Sequence, residues 1–103
     1  MTKYRVAFDD IPWMEPIPGV RHRIQDQEGR RLRLVEYTEA MEPHWCTRGH
    51  IGILLEGEFE IRFDGSVEVY HAGEGVFIPS GPEHRHMARV VGGPVRALFV
   101  EDL

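Results

Sequence analysis

Four side chains of the types that bind borderline transition metals lie close together in this chain. His44, Cys46 and His50 fall in one short block, and His84 ends a second block rich in glycine and proline. Imidazole and thiolate are common ligands of divalent first-row metals. A single histidine on a strand is more often a packing or surface residue, but this clustering suggests that a bound metal is central to the function. The spacing is compatible with convergence of the four side chains without requiring it.

Another histidine, His86, follows two residues after His84, so on a strand the two side chains would share a face. We predict that His86 is catalytic and transfers a proton near neutral pH, although a supporting or substrate-contacting role, or a partly exposed position at the rim, also fits. His22 and His71 have no motif around them, and we predict that both lie on the surface.

The elements that would position these residues are short β-strands. Charged and apolar residues alternate over residues 31–37 and 58–63, with the period of a half-buried strand. Asp64-Gly65 predicts a hairpin turn. Further strands are predicted at residues 20–25, 50–55, 66–71, 75–78, 84–91 and 94–101. No stretch indicates a helix.

The chain is predicted to form one all-β domain over residues 1–103, with about eight short strands, a number typical of a sandwich or barrel. Residues 1–18 contain three prolines and are predicted to be an irregular N-terminal arm, with Trp13 packed on the body. The interior of such a fold holds side chains or one small ligand. The low count of charged residues at inward positions predicts a largely apolar pocket.

Composition argues against several partners. The formal net charge is −5 and there is no run of Lys or Arg, so we expect no direct binding to nucleic acid. Acidic residues occupy the place of a signal peptide's apolar stretch, and residues 51–55 are far too short to cross a membrane. A lone cysteine fits a reducing compartment. We therefore expect a cytoplasmic protein without membrane association.

The block from His44 to Gly57 resembles the first conserved motif of the cupin superfamily. That motif has His-x-His, then Glu, then Gly. His44 matches the first histidine, Cys46 stands where the second is expected, and His50 stands where the glutamate is expected. Gly57 follows at the family's spacing.

The second block resembles the second cupin motif, which ends in Pro-x-Gly, two residues and His. Gly73, Pro79, Gly81 and His84 match it, while Ala88 replaces the final asparagine. The resemblance covers roughly residues 30–101. It implies a small jelly-roll β-barrel with a metal in its mouth, often as a homodimer.

The resemblance implies that His44, His50 and His84 bind a divalent transition metal (Fe, Mn, Ni or Zn), with Cys46 as a possible fourth ligand. Three imidazoles would leave open positions suited to Lewis-acid or O₂ chemistry. Ligation by the Cys46 thiolate would instead favour zinc and close the site, which suits a structural or sensing role. Cys46 could also be a small buried apolar residue.

The function expected from these features is a mononuclear metal-dependent enzyme, dioxygenase-like or Lewis-acid, acting on a small organic molecule. The segment 13–21 and the three histidines resemble small cupin dioxygenases that cleave diketones. Two alternatives stay open: a non-catalytic ligand- or metal-sensing module, and a barrel without metal whose histidines are polar core residues. The outward apolar residues Trp45, Ile51, Ile53 and Leu55 could form a homodimer interface or pack beneath the arm.

Overall fold

The computed structural model describes the whole chain, residues 1–103, and consists mainly of β-strands. The strands are β1 (Met14–Ile17), β2 (Val20–Gln27), β3 (Arg30–Tyr37), β4 (Trp45–Cys46), β5 (His50–Glu56), β6 (Glu58–Phe63), β7 (Ser66–His71), β8 (Gly75–Ile78), β9 (His86–Val90) and β10 (Val95–Asp102). Two short 3-10 turns cover Phe8–Asp10 and Pro82–His84.

The strands form two antiparallel sheets, as in a jelly-roll sandwich. The larger sheet has the order β1-β2-β3-β10-β5-β8, and the smaller has the order β4-β9-β6-β7. The all-β class is confirmed, but the predicted closed barrel of about eight strands is corrected to ten strands in two separate sheets. One added strand, β1, arises within the segment predicted as irregular. It can contain Pro16 because it is an edge strand, where a missing N–H need not be paired.

The core between the sheets follows the period-2 alternation of the strands. Phe59 and Ile61 of β6 are buried, as the alternation predicts, and the hairpin turn at Asp64-Gly65 is confirmed by the pairing of β6 with β7. In β10 the inward residues are Val95, Ala97, Phe99 and Glu101, three of them apolar. Inward positions of both sheets therefore meet in one core.

The N-terminal segment packs on the outer face of β2. Trp13 contacts two guanidinium groups, with the ring centroid 4.3 Å from Arg21 Cζ and 4.4 Å from Arg23 Cζ. Arg23 also donates a hydrogen bond to the carbonyl oxygen of Phe8 (3.1 Å). Cation–π contacts and this hydrogen bond thus hold the segment against the sheet.

The opposite end of the larger sheet's outer face is apolar and uncovered. Ile51, Ile53 and Leu55 of β5 lie there beside Phe77 of β8, which is 75 % exposed. Trp45 lies apart from them on the smaller sheet, where its ring is covered by the guanidinium of Arg85. No helix in the structure has the length and apolar character needed to span a membrane.

Candidate functional site

A cavity of about 310 Å³ lies between the two sheets. Inward residues of the strands form its walls, and half of its 18 lining residues are hydrophobic, including Met41, Phe59, Ile61 and Phe99. The remainder, apart from Pro16, are polar or charged and include most of the chemistry-bearing residues expected from the sequence. This mixture of an apolar wall and a few polar groups is typical of a small-molecule site.

Of the predicted metal ligands, His44, Cys46 and His50 line the cavity together with His86, whereas His84 does not. His84 lies in the 3-10 turn, its side chain is 43 % exposed, and its Nε2 is 3.8 Å from Glu83 Oε1. The prediction that His84 and His86 share a strand face is therefore wrong. The turn beginning at Pro82 removes His84 from the strand alternation, which starts only at His86.

The imidazoles of His44, His50 and His86 share one hydrogen-bonding arrangement. Each Nδ1 faces an oxygen: His44 faces the carbonyl of Glu42 (3.1 Å), His50 faces Glu101 Oε2 (2.6 Å), and His86 faces the carbonyl of His84 (3.1 Å). A carbonyl or carboxylate oxygen can only accept, so Nδ1 carries the proton in each ring. In the neutral ring, Nε2 is then left with a free lone pair, as in histidines that bind metals.

His86 is the most deeply buried of these histidines, at 3 % exposure. Its Nε2 is buried and has no hydrogen-bond partner. Burial lowers its pKa, the bond to the His84 carbonyl opposes this, and the neighbouring His50 and His44 lower it further. The ring centroids of His50 and His86 are 5.2 Å apart. His86 is thus a neutral imidazole with an unused lone pair beside another imidazole.

A buried polar network behind His50 was not anticipated from the sequence. Glu101, 2 % exposed, accepts hydrogen bonds from His50 Nδ1 (2.6 Å) and from Arg33 Nη1 (3.1 Å). Burial would raise its pKa, but the bond from His50 and the charge of Arg33 outweigh that effect and lower it to about 2. Glu101 is therefore ionised and fixes the orientation of His50. Glu101 lies two residues after Phe99 on β10, and this alternation was the available sequence signal.

The same network includes His22, whose predicted surface position is wrong. His22 is 6 % exposed, and its Nδ1 accepts a hydrogen bond from Arg33 Nε at 2.9 Å. Burial, followed by the charge of Arg33, lowers its pKa. His71 is exposed, as predicted, and lies near Glu58 and Glu74.

The lining of the cavity is largely apolar, as expected, but three arginines also line it. Arg31 and Arg33 lie on β3 in phase with the buried Val35 and Tyr37, so their side chains face inward. Arg31 forms a two-bond ion pair with Asp26 (2.8 and 3.0 Å). Alternation in this strand predicted the period but not which set of residues faces the interior.

Tyr37 adds a neutral hydrogen-bonding group to the cavity wall. It is buried, and its ring centroid lies 4.7 Å from that of Phe59. Burial raises the pKa of Tyr37 to about 12. Its phenol stays protonated at neutral pH and is available as a donor to a ligand oxygen.

The donor chemistry of the cavity fits a divalent transition metal. His44, His50 and His86 offer Nε2 lone pairs, and Cys46 offers a thiol whose Sγ lies 3.9 Å from the carbonyl oxygen of Arg48. These side chains share the cavity without forming a ready cluster of three or more ligands. The unpartnered Nε2 of His86 is the atom that most directly calls for a ligand.

Comparisons with known proteins agree with this fold. The family model described as "Cupin domain" matches residues 31–101. An RmlC-like cupin from Shewanella frigidimarina NCIMB 400 is similar in structure, with a TM-score of 0.75 and 15 % identity, covering 98 % of this chain and 91 % of that one. No curated protein matches the chain in sequence.

Two further solved structures are similar. The polyketide cyclase RemF from Streptomyces resistomycificus has a TM-score of 0.72 and 26 % identity, covering 99 % of this chain and 80 % of that one. FeII HppE has a TM-score of 0.74 and 12 % identity, covering 93 % of this chain and 58 % of that one. Because the family model spans more than half of the sequence and the two-sheet fold agrees with it, this chain belongs to the cupin domain family.

Proposed function

We propose that this chain is a metal-dependent enzyme acting on a small organic molecule, with a divalent transition metal held by His44, His50 and His86. The observation that carries the proposal is the buried Nε2 of His86, which has no hydrogen-bond partner. A buried polar atom left unpaired is costly, so its presence beside two similar imidazoles calls for a ligand. A metal ion would satisfy it.

This ligand set differs from that implied by the cupin motifs, because His86 replaces His84. His86 lines the cavity and His84 does not. His86 thereby takes a metal-binding role in place of the proton-transfer role expected from the sequence.

The surrounding residues would hold the ligands in place. Glu101 accepts a hydrogen bond from His50 Nδ1–H and is itself held by Arg33, while backbone carbonyls orient His44 and His86. Such supporting bonds fix the ring and raise the basicity of the ligating nitrogen. A bound ion would supply Lewis-acid or O₂ chemistry. The protonated phenol of Tyr37 would orient a substrate oxygen by hydrogen bonding.

Whether Cys46 binds the metal distinguishes an enzyme from a sensing module. Its side chain lines the cavity and is only partly exposed. If its thiolate joined three imidazoles, the shell would be closed and would favour zinc. If it does not bind, open positions remain for substrate. Among similar structures, HppE is named as an FeII form and RemF as a polyketide cyclase, which supports the open alternative.

The test is elemental analysis of metal per chain in protein purified without an affinity tag. We expect near-stoichiometric metal in the wild type and in His84→Ala, and loss of metal in His86→Ala. His84→Ala is the matched control, since it removes the same side chain two residues away and outside the cavity. Circular dichroism checks that each variant is folded.

Cys46→Ser completes the series. Retention of iron, manganese or nickel in Cys46→Ser would support the open three-histidine centre. Oxygen uptake with dicarbonyl compounds would then be the next measurement. Zinc that is lost in Cys46→Ser would favour the sensing or structural alternative. Equal metal content in wild type and His86→Ala, or no metal in either, would refute the proposed ligand set.

The proposal also includes a cytoplasmic homodimer formed through the outer face of the larger sheet. Ile51, Ile53, Leu55 and Phe77 make an exposed apolar patch there, and such patches often mark subunit contacts. Phe77→Glu should convert a dimer into a monomer in sedimentation equilibrium. Val67→Glu changes an exposed apolar residue on the smaller sheet and should leave the dimer intact. A monomeric wild type would refute this part.

A further inference from the structure

We infer that the cavity binds a small organic carboxylate whose carboxylate group pairs with Arg48 at the cavity mouth. This names the substrate class of the proposed enzyme and so rests on the proposed function for its catalytic meaning. The charges and the shape of the cavity support the binding itself.

The lining of the cavity is more basic than the chain as a whole. The chain as a whole carries a formal charge of −5, yet the cavity is lined by three arginines and one carboxylate. The cavity is therefore a cationic site in an acidic protein. Charge of one sign concentrated in a cleft attracts ligands of the opposite sign.

Two of the three cavity arginines already have partners. Arg31 forms an ion pair with Asp26, and Arg33 donates to Glu101 and to His22. Arg48 lines the cavity and forms no ion pair with any carboxylate of the chain. One guanidinium is thus left to pair with a ligand.

The free guanidinium of Arg48 lies on a loop that is open to solvent. Arg48 is exposed, on the short connection between β4 and β5 that runs between Cys46 and His50. Hydrogen bonds from Arg31 lower the pKa of Asp26, burial opposes this, and the charge of Arg48 lowers it further, so Arg48 lies near the Arg31–Asp26 pair. A ligand anion entering from solvent would meet Arg48 close to the proposed metal ligands.

The shape of the guanidinium and the apolar walls of the cavity define the class of ligand. A single planar guanidinium matches a carboxylate through two parallel hydrogen bonds. The apolar walls formed by Met41, Phe59, Ile61 and Phe99 suit an apolar or aromatic body. A volume of about 310 Å³ lies at the small end of ligand pockets, which limits that body to a small molecule.

The experiment measures dissociation constants by ligand-observed NMR for a matched set of probes: benzoate, the neutral benzamide, and phenyl phosphate. The protein is the full chain, used as purified and again after treatment with a chelator. We expect benzoate to bind about tenfold more tightly than benzamide in both forms, since a charge-assisted pair is stronger than a neutral one. Phenyl phosphate should bind no more tightly than benzoate.

Arg48→Gln should remove most of the preference for benzoate. Arg62→Gln is the control, because Arg62 is also exposed and without an ion pair but lies on the smaller sheet outside the cavity. It should leave both dissociation constants unchanged.

The inference is overturned if benzamide binds as tightly as benzoate, if none of the probes binds, if phenyl phosphate is preferred, or if Arg48→Gln retains the preference. Its failure is distinguishable from failure of the proposed function. An Arg48-dependent preference in protein that never holds metal would sustain the anion site and refute the metal centre. Stoichiometric metal without that preference would do the reverse.

Discussion

Replacing Glu101 by glutamine tests the buried network that orients His50. The substitution keeps the size of the side chain and removes its charge. In the wild type one carboxylate accepts hydrogen bonds from both His50 and Arg33. Both bonds converge on the single oxygen Oε2, so a glutamine carbonyl oxygen could still accept them, but only as bonds to a neutral group. The Arg33 guanidinium would also lose its carboxylate partner in a buried position.

The expected loss of stability follows from these contacts. A hydrogen bond to a charged group contributes about 1.5–3 kcal/mol, and both bonds would fall to the about 0.5–1.5 kcal/mol of a neutral bond. Breaking a buried ion pair on one side costs about 3–5 kcal/mol. We therefore expect Glu101→Gln to lower the free energy of unfolding by about 3 kcal/mol. For a domain of this size that corresponds to a Tm lower by about 12–24 °C.

The assay is urea unfolding followed by tryptophan fluorescence, with metal affinity measured on the same preparations. Loss of a residue that supports a metal-binding histidine typically weakens metal binding by about 10- to 100-fold. Asp64→Asn is the control, because Asp64 pairs with Arg85 on the exposed surface and should contribute nothing measurable. A Glu101→Gln protein as stable as Asp64→Asn, with unchanged metal affinity, would refute the assigned role of the network.

Three further predictions concern the frame of the site. Phe99→Ala, which removes a fully buried ring from the cavity wall, should cost about 3–5 kcal/mol in urea unfolding, and a cost below that of a surface substitution would contradict the assigned packing. Burial raises the pKa of Glu36, but hydrogen bonds from two arginines outweigh this and lower it. The stabilising effect of the ionised Glu36 carboxylate is therefore present above about pH 4.5 and lost as pH falls through the folded-state pKa. The free energy of unfolding should consequently fall less steeply with decreasing pH in Glu36→Gln than in the wild type. Gly57→Ala should lower the Tm more than Gly65→Ala. Both residues have positive φ, but an added Cβ at Gly57 would lie 2.5 Å from a backbone oxygen, whereas the space at Gly65 is open. Equal decreases in Tm would contradict this.

Much of the strand layout could be predicted from alternation, because the period of a half-buried strand appears directly in the sequence. The pair β6–β7 and its turn are examples. What alternation does not reveal is which phase faces inward when both sets include apolar residues. In β3 the inward set contains Arg31 and Arg33, since these side chains line a cavity instead of a fully apolar core.

The sequence indicated some of the residues that line the cavity, but not all of them. His44, Cys46 and His50 line the cavity as a group, in agreement with their clustering in the sequence. The position of His84 depends on a local break in the strand. Gly81 adopts φ 131° and Pro82 begins a 3-10 turn, so the strand alternation that starts at His86 does not extend back to His84. Glu101 was not predicted as a site residue because its partners lie far away in the sequence and no motif surrounds it.

The central position of β10 in the larger sheet has a consequence for the order of folding. This strand joins β3 on one side to β5 on the other, so without it the sheet consists of two unconnected halves. Glu101 meets Arg33 across a separation of 68 residues and His50 across 51. Contacts so distant form late and slowly, because a long loop must close first. We expect His50 to gain its orienting carboxylate only when the last strand enters the sheet, so that a competent metal site appears with the completed fold and not before it.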